Sequence, residues 1–170
     1  VPLNTQPIEP VVDSKVLEVN SVFSTIQGEG PMAGWPAIFV RMAGCVLQCS
    51  NCDTEYTKRE QMTGEGIHKR VLLENLQRYN PKFKPLVVFT GGEPLRQRID
   101  YAISPLLHDG YGVQIETNGV CSLRDALAFT SVNSPGNANR FSIVCSPKTR
   151  VVHKELLPWI TAYKYVINGI

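Results

Sequence analysis

"AIFVRMAGCVLQCSNCDT", residues Ala37 to Thr54, joins an apolar run to three cysteines at positions 45, 49 and 52. Ala37 to Met42 is short, apolar and bounded by Pro36 and Gly44, and it reads as a strand. The cysteines stand at i, i+4 and i+7, which would also place three small apolar side chains on one face of a helix, as in a core. Gly44, Ser50, Asn51 and Asp53 surround them with turn formers and poor helix formers, so the segment reads as a loop following the strand. A structural zinc ion normally takes four ligands as two separated pairs. Here a fourth would have to come from Cys121, Cys145 or one of His68, His108 and His153. A 4Fe-4S cluster held by three thiolates of one loop instead leaves one iron open for chemistry.

Outward from that loop, short apolar runs recur at Val16 to Val19, Leu86 to Phe89, Tyr111 to Glu116, Phe141 to Cys145 and Tyr163 to Ile167. Between them Ile67, Val71, Leu72, Leu76 and Tyr79 have helical spacing, as do the apolar residues of Ile99 to Leu107 and of Leu123 to Phe129. Strands alternating with helices predict an α/β fold with a mostly parallel sheet. Pro105 weakens the middle helix, and "NSPGNANR", Asn133 to Arg140, reads as a surface loop. Residues 1–12 carry three prolines and no periodicity, and they read as an extended arm with no assigned chemistry. A length of 170 residues with 43% hydrophobic composition predicts one domain, 1–170.

Composition also excludes. Lys and Arg number 17 against 15 Asp and Glu, which lacks the footprint of a dedicated nucleic-acid binder. No run approaches the length of a membrane span and no secretory pattern opens the chain, so a soluble cytoplasmic protein is expected. Five cysteines, an odd number with three of them tightly clustered, suit metal or redox chemistry in a reducing compartment better than a disulfide framework.

A cofactor lying across a parallel sheet should meet residues at the carboxyl ends of several strands. Three stretches satisfy this: "TGGEP" from Thr90, "ETNG" from Glu116 and "SPK" from Ser146. Gly91 and Gly92 would let backbone approach a ligand, and Glu93 would offer a carboxylate to an ammonium group. Each stretch alone is an ordinary turn signal, but their order behind the cysteine triplet is not explained by turns.

The C-x3-C-x2-C spacing after a strand resembles the radical S-adenosylmethionine (SAM) superfamily, and "GGEP" resembles its motif for the SAM amino group. "TIQGEG" (Thr25 to Gly30), "FVRMAGC", "CDT", "TGGEP", "ETNG" and "SPK" together resemble the 7-carboxy-7-deazaguanine synthase family, from about Val19 to Lys148. The resemblance implies a shortened partial (β/α) barrel, a homodimer and an external electron donor. It also implies conversion of 6-carboxy-5,6,7,8-tetrahydropterin to 7-carboxy-7-deazaguanine with loss of ammonia. By motif position, Cys45, Cys49 and Cys52 would ligate a 4Fe-4S cluster. Asn51, Cys52, Asp53, Gly92, Ser146, Pro147 and Lys148 would border SAM. Ile26, Gln27, Gly28, Arg41 and Thr90 would hold the pterin, with Arg41 on its carboxylate, and Thr54 would ligate Mg²⁺. Asn51 departs from the bulky residue common before the third cysteine. Two further readings fit part of the pattern: a glycyl-radical enzyme activase, which leaves "TIQGEG" and "CDT" unexplained, and a noncatalytic zinc-binding module.

Overall fold

A computed structural model describes residues 3–124 and 140–165. Its centre is a seven-stranded sheet in the order β3-β1-β2-β4-β5-β6-β7. The strands are β1 (Val16–Ile26), β2 (Pro36–Met42), β3 (Glu60–Thr63), β4 (Leu86–Gly91), β5 (Val113–Thr117), β6 (Phe141–Cys145) and β7 (Ile160–Tyr163). From β2 to β7 every neighbouring pair is parallel, and β1 adds antiparallel pairings to β2 and β3 at one edge. This is the α/β architecture expected of a shortened partial (β/α) barrel.

Alternation along the strands sorts two faces. Ile38, Val40 and Met42 of β2, Val87 and Phe89 of β4, Val113 and Ile115 of β5 and Ile143 of β6 form the main core. Two helices supply its other side: α1 (Gly64–Arg78) through Ile67 and Val71, and α2 (Asp100–His108) through Ala102, Ile103, Leu106 and Leu107. The intervening strand residues point the opposite way. There Ala37, Leu86 and Val88 make a small apolar floor with Met32 and Phe39, and Arg41, Thr90, Gln114 and Glu116 follow toward the strand ends.

Several elements differ from the sequence expectation. β1 continues seven residues past Val19, to Ile26, because "NSVFSTI" is rich in residues suited to a pleated surface and pairs with β2 up to Ile26 opposite Pro36. The short polar β3 was not foreseen; its partner is the start of β1. β7 begins at Ile160, and only Tyr163 to Tyr165 of the run expected there lie within the described residues. The helix expected at Leu123 to Phe129 and the loop at Asn133 to Arg140 fall, apart from residues 123, 124 and 140, outside them.

The helices are also informative. Thr63 caps α1, its hydroxyl accepting from the Gly66 amide at 3.0 Å. The buried face of α1 carries Asn75 where apolar spacing pointed to Leu76, which is 59% exposed. Asn75 is tolerated because its Nδ2 donates to the Tyr111 hydroxyl (3.0 Å) and the Phe83 carbonyl (3.2 Å). Pro105 does not end α2. Its missing N–H would have served the Tyr101 carbonyl, and Gly64 packs flat on that carbonyl, where a Cβ would come within 2.4 Å.

Candidate active site at the carboxyl ends of the strands

The loop expected after β2 is present, and it is anchored where it leaves the sheet. Gly44 takes φ 75°, a left-handed conformation that favours glycine. Gly91 and Gly92 permit a close approach of backbone to backbone. A Cβ on Gly92 would stand 1.9 Å from the Gly44 oxygen, and one on Gly91 2.4 Å from the Met42 oxygen. The contact is sealed by the Gly92 amide donating to Met42 (3.1 Å) and the Glu93 amide donating to Gly44 (2.9 Å).

Glu93, expected to offer its carboxylate to an ammonium group, is already engaged by donors of the chain itself. Its carboxylate is fully buried and accepts from the Thr117 hydroxyl (2.7 Å), the Asn118 amide (2.8 Å) and the Leu95 amide (3.0 Å). Burial pushes its pKa up to about 7, against those three donors. Glu93 therefore ties the end of β4 to the end of β5, one step behind the site surface.

The three loop thiols differ in environment. Cys45 is buried, and desolvation pushes its thiol up to about 11; Asn118 Nδ2 approaches its sulfur at 3.9 Å. Cys49 is half-buried and raised for the same reason, with Lys148 pulling the other way. Cys45 is also pushed up by the charges of Cys49 and Cys52, so the three share one neighbourhood. Among the described residues, no three His, Cys, Asp or Glu side chains converge on a point that would hold a single metal ion. His68, on α1, pairs instead with Asp109, just past α2, at 2.8 Å. This donor set suits a cluster, in which each thiolate takes its own iron, better than a zinc ion on which all ligands converge.

Beside the loop, the upward-facing strand residues form a polar row. Arg41 of β2 lies opposite Thr90 of β4, whose hydroxyl donates to Glu116 Oε2 at 2.9 Å. Glu116 Oε1 accepts from Gln27 Nε2 (3.0 Å) and from Gln114 Nε2 (3.2 Å). Gln27 is thus the inward residue of "TIQGEG". Ile26 is 64% exposed, and Gly28 is exposed with nothing within 4 Å of a would-be Cβ. Arg41 stacks over Phe23 at 5.6 Å, and its buried Nε has no hydrogen-bond partner. Ser146 Oγ, at the end of β6, is buried and unpartnered in the same way. The Ser146 amide donates to Thr117 (2.8 Å) and that of Lys148 to Asn118 (3.4 Å), docking "SPK" onto the end of β5.

The structure thus brings Gln27, Arg41 and Thr90 into one row, with Gly92 and the cysteine loop at its side. Asn51, Asp53 and Lys148 are exposed around it, with Pro147 half-buried. Thr54 Oγ1 donates to Asp53 Oδ1 at 3.1 Å, so the hydroxyl expected to meet a metal stands next to a carboxylate. Sequence reasoning placed no role on Glu116 or Asn118, although "ETNG" contains both. The signal was parity: Glu116 is two residues on from Gln114 and faces as Thr90 does. Two unsatisfied buried polar atoms, a fork-shaped cation and three free thiols are what an anionic substrate and a sulfur-bridged cluster require, and the residues fit those groups.

Residues 26–121 match the 4Fe-4S single cluster domain family. The chain is 44% identical over 155 residues to the 7-carboxy-7-deazaguanine synthase of Rhodospirillum rubrum, covering 91% of this chain and 60% of that protein. It is 35% identical to the synthase of Bacteroides thetaiotaomicron over 150 residues, 83% of this chain and 76% of the other. Among solved structures, that of QueE from Escherichia coli superposes with a TM-score of 0.69 at 26% identity, covering 88% of this chain and 70% of that one. The chain spans 60 to 66% of the length of the relatives from R. rubrum, Rickettsia prowazekii and Aquifex aeolicus. With an α/β sheet that presents Arg41, Thr90 and a three-cysteine loop at its carboxyl edge, the chain belongs to the 7-carboxy-7-deazaguanine synthase family.

Proposed function

We propose that this chain converts 6-carboxy-5,6,7,8-tetrahydropterin to 7-carboxy-7-deazaguanine with loss of ammonia, as a radical SAM lyase of deazapurine (queuosine-type) biosynthesis. The observation that carries the reading is Arg41, whose buried Nε lacks a partner at the strand ends beside the cysteine loop. A planar guanidinium can meet both oxygens of a carboxylate, and a buried unpaired donor there is costly unless a ligand accepts from it. Thr90, Gln27 and Glu116 add a hydroxyl, an amide and a carboxylate along one line, suited to the alternating donors and acceptors of a pterin edge.

When bound, a 4Fe-4S cluster on Cys45, Cys49 and Cys52 would leave one iron open for SAM and would supply the electron for its reductive cleavage. The chain's own residues then orient and enclose. Ser146, Pro147 and Lys148 past the end of β6, with Asn51, Asp53 and Gly92 by the loop, would border SAM. The Thr54 hydroxyl and the adjoining Asp53 offer oxygen to Mg²⁺, which usually keeps several waters and takes few protein ligands. Arg41 fixes the carboxylate and Thr90 the ring, so a carbon is presented for hydrogen abstraction and the rearranging substrate stays in one orientation. The reading includes a single domain, a homodimer, an external electron donor and a cytoplasmic setting. No described helix is long and apolar enough to cross a membrane.

The test is anaerobic cluster reconstitution followed by incubation with SAM, reductant, Mg²⁺ and the carboxypterin. The expected result is 7-carboxy-7-deazaguanine with SAM regenerated. SAM cleavage without deazapurine would retain the radical chemistry and overturn the substrate, as an activase acting on a partner protein would require.

A further inference from the structure

The N-terminal arm, given no task by its sequence, lies along the cysteine loop and satisfies its backbone. Asn4 Nδ2 donates to the Cys49 carbonyl (3.1 Å), and the Glu9 amide donates to the Cys45 carbonyl (2.7 Å). Gln6 grips the far side of the loop at two points: its Nε2 donates to the Thr54 carbonyl (2.9 Å) and its Oε1 accepts from the Tyr56 amide (2.7 Å). Asn4 Oδ1 accepts from both the Gln6 amide (3.0 Å) and Gln6 Nε2 (3.2 Å), and Gln48 Nε2 reaches back to the Gln6 carbonyl at 2.6 Å.

The arm is itself anchored. Glu9 pairs with Arg96 (2.5 Å) and Arg59 (2.6 Å), and the Val12 amide donates to the Arg96 carbonyl (2.7 Å). Arg96 is 2% exposed and its guanidinium lies against Gly44, where a Cβ would come within 2.6 Å. The arm is therefore fastened to the cluster loop at Asn4, Gln6 and Glu9, and to Arg96 in the turn that follows β4.

We infer that Asn4, Gln6 and Glu9 are positioning residues that clasp the ligand loop and hold Cys45, Cys49 and Cys52 ready for the cluster. The inference rests on the reading of those cysteines as cluster ligands. The reasoning is entropic: an irregular loop such as Gly44 to Thr54 samples many conformations unless its backbone groups have fixed partners, and here several of those partners are on the arm. One contact distinguishes Gln6. The Thr54 carbonyl also accepts from the Cys52 thiol at 3.6 Å. An iron-bound thiolate has no proton to give, so in the loaded protein Gln6 is left as that carbonyl's donor.

The test compares the wild-type chain with Gln6→Ala and Gln6→Glu, the second keeping an acceptor for Tyr56 but losing the donor to Thr54. His68→Ala, which removes the distant Asp109 pair, serves as a control for general destabilisation. Loop-thiol alkylation is followed in the iron-free protein against Cys145. Iron release to a chelator is followed after reconstitution, and thermal midpoints accompany both. Gln6→Ala is expected to raise loop alkylation and iron release at least about tenfold, the equivalent of its two lost part-buried hydrogen bonds to Thr54 and Tyr56. Gln6→Glu should fall between, with Cys145 unchanged. Wild-type rates in Gln6→Ala, or an equal acceleration in His68→Ala, would overturn the clasp. A wild-type chain that takes up neither iron nor sulfide would overturn the cluster reading, and the alkylation rates would still decide whether the arm orders the loop.

Discussion

Arg41 is the residue on which the substrate assignment turns, because a single charged group with an unpartnered buried nitrogen predicts the charge and shape of what it meets. Arg41→Ala should raise KM for the carboxypterin by about 10- to 100-fold, the range of a charge-assisted bond, and Arg41→Lys should recover only part of it because an ammonium lacks the planar fork. The same pterin without its carboxylate should bind the wild type and Arg41→Ala alike, as isothermal titration would read. Glu93 makes a second prediction at this scale. Its folded pKa of about 7 stands above the ordinary carboxylate value, so the folded state favours the protonated acid. Stability is then greatest below the unfolded pKa and is lost as pH rises through about 7. Glu93→Gln should flatten that fall in thermal midpoint, at the loss of the acceptor either for Asn118 or for Thr117 and Leu95 together. The position of Glu93 in "GGEP" made it look like a ligand group; only its zero exposure and its three donors reveal a brace, and burial is not written in a motif.

Among elements, the junction of β4 with the cysteine loop carries the most consequence. Gly92→Ala puts a methyl group 1.9 Å from the Gly44 oxygen, where backbone must move, so destabilisation of about 2–4 kcal/mol and reduced iron per chain are expected from chemical denaturation and iron assay. The strands were legible from short apolar runs because each is buried on its helix side and bounded by Gly, Pro or Asn. α1 was legible in existence but not in rotation, since Asn75 is carried into the core by partners on Tyr111 and Phe83 that no local pattern announces. β3 and the contacts of the arm escaped for the same reason. Their sequences are polar or proline-rich, and what holds them is an edge strand in one case and the loop's carbonyls in the other.

At the scale of the whole molecule, parallel order places the ends of β2, β4, β5 and β6 side by side, so residues far apart in sequence become one site. Arg41, Thr90, Glu116 and Ser146 stand at or just past those strand ends, and the motif order along the chain did not foretell that Glu116 would receive Gln27 and Thr90. The cysteine loop completes the arrangement, and its three thiols predict a cluster with one iron left unligated by protein. The most direct measurement is the electron paramagnetic resonance spectrum of the anaerobically reconstituted, reduced chain, recorded with and without SAM alongside iron and sulfide analysis. The account predicts about four irons and four sulfides per chain and a cluster signal that shifts when SAM is added. Zinc in place of iron, or a cluster signal indifferent to SAM, would contradict it.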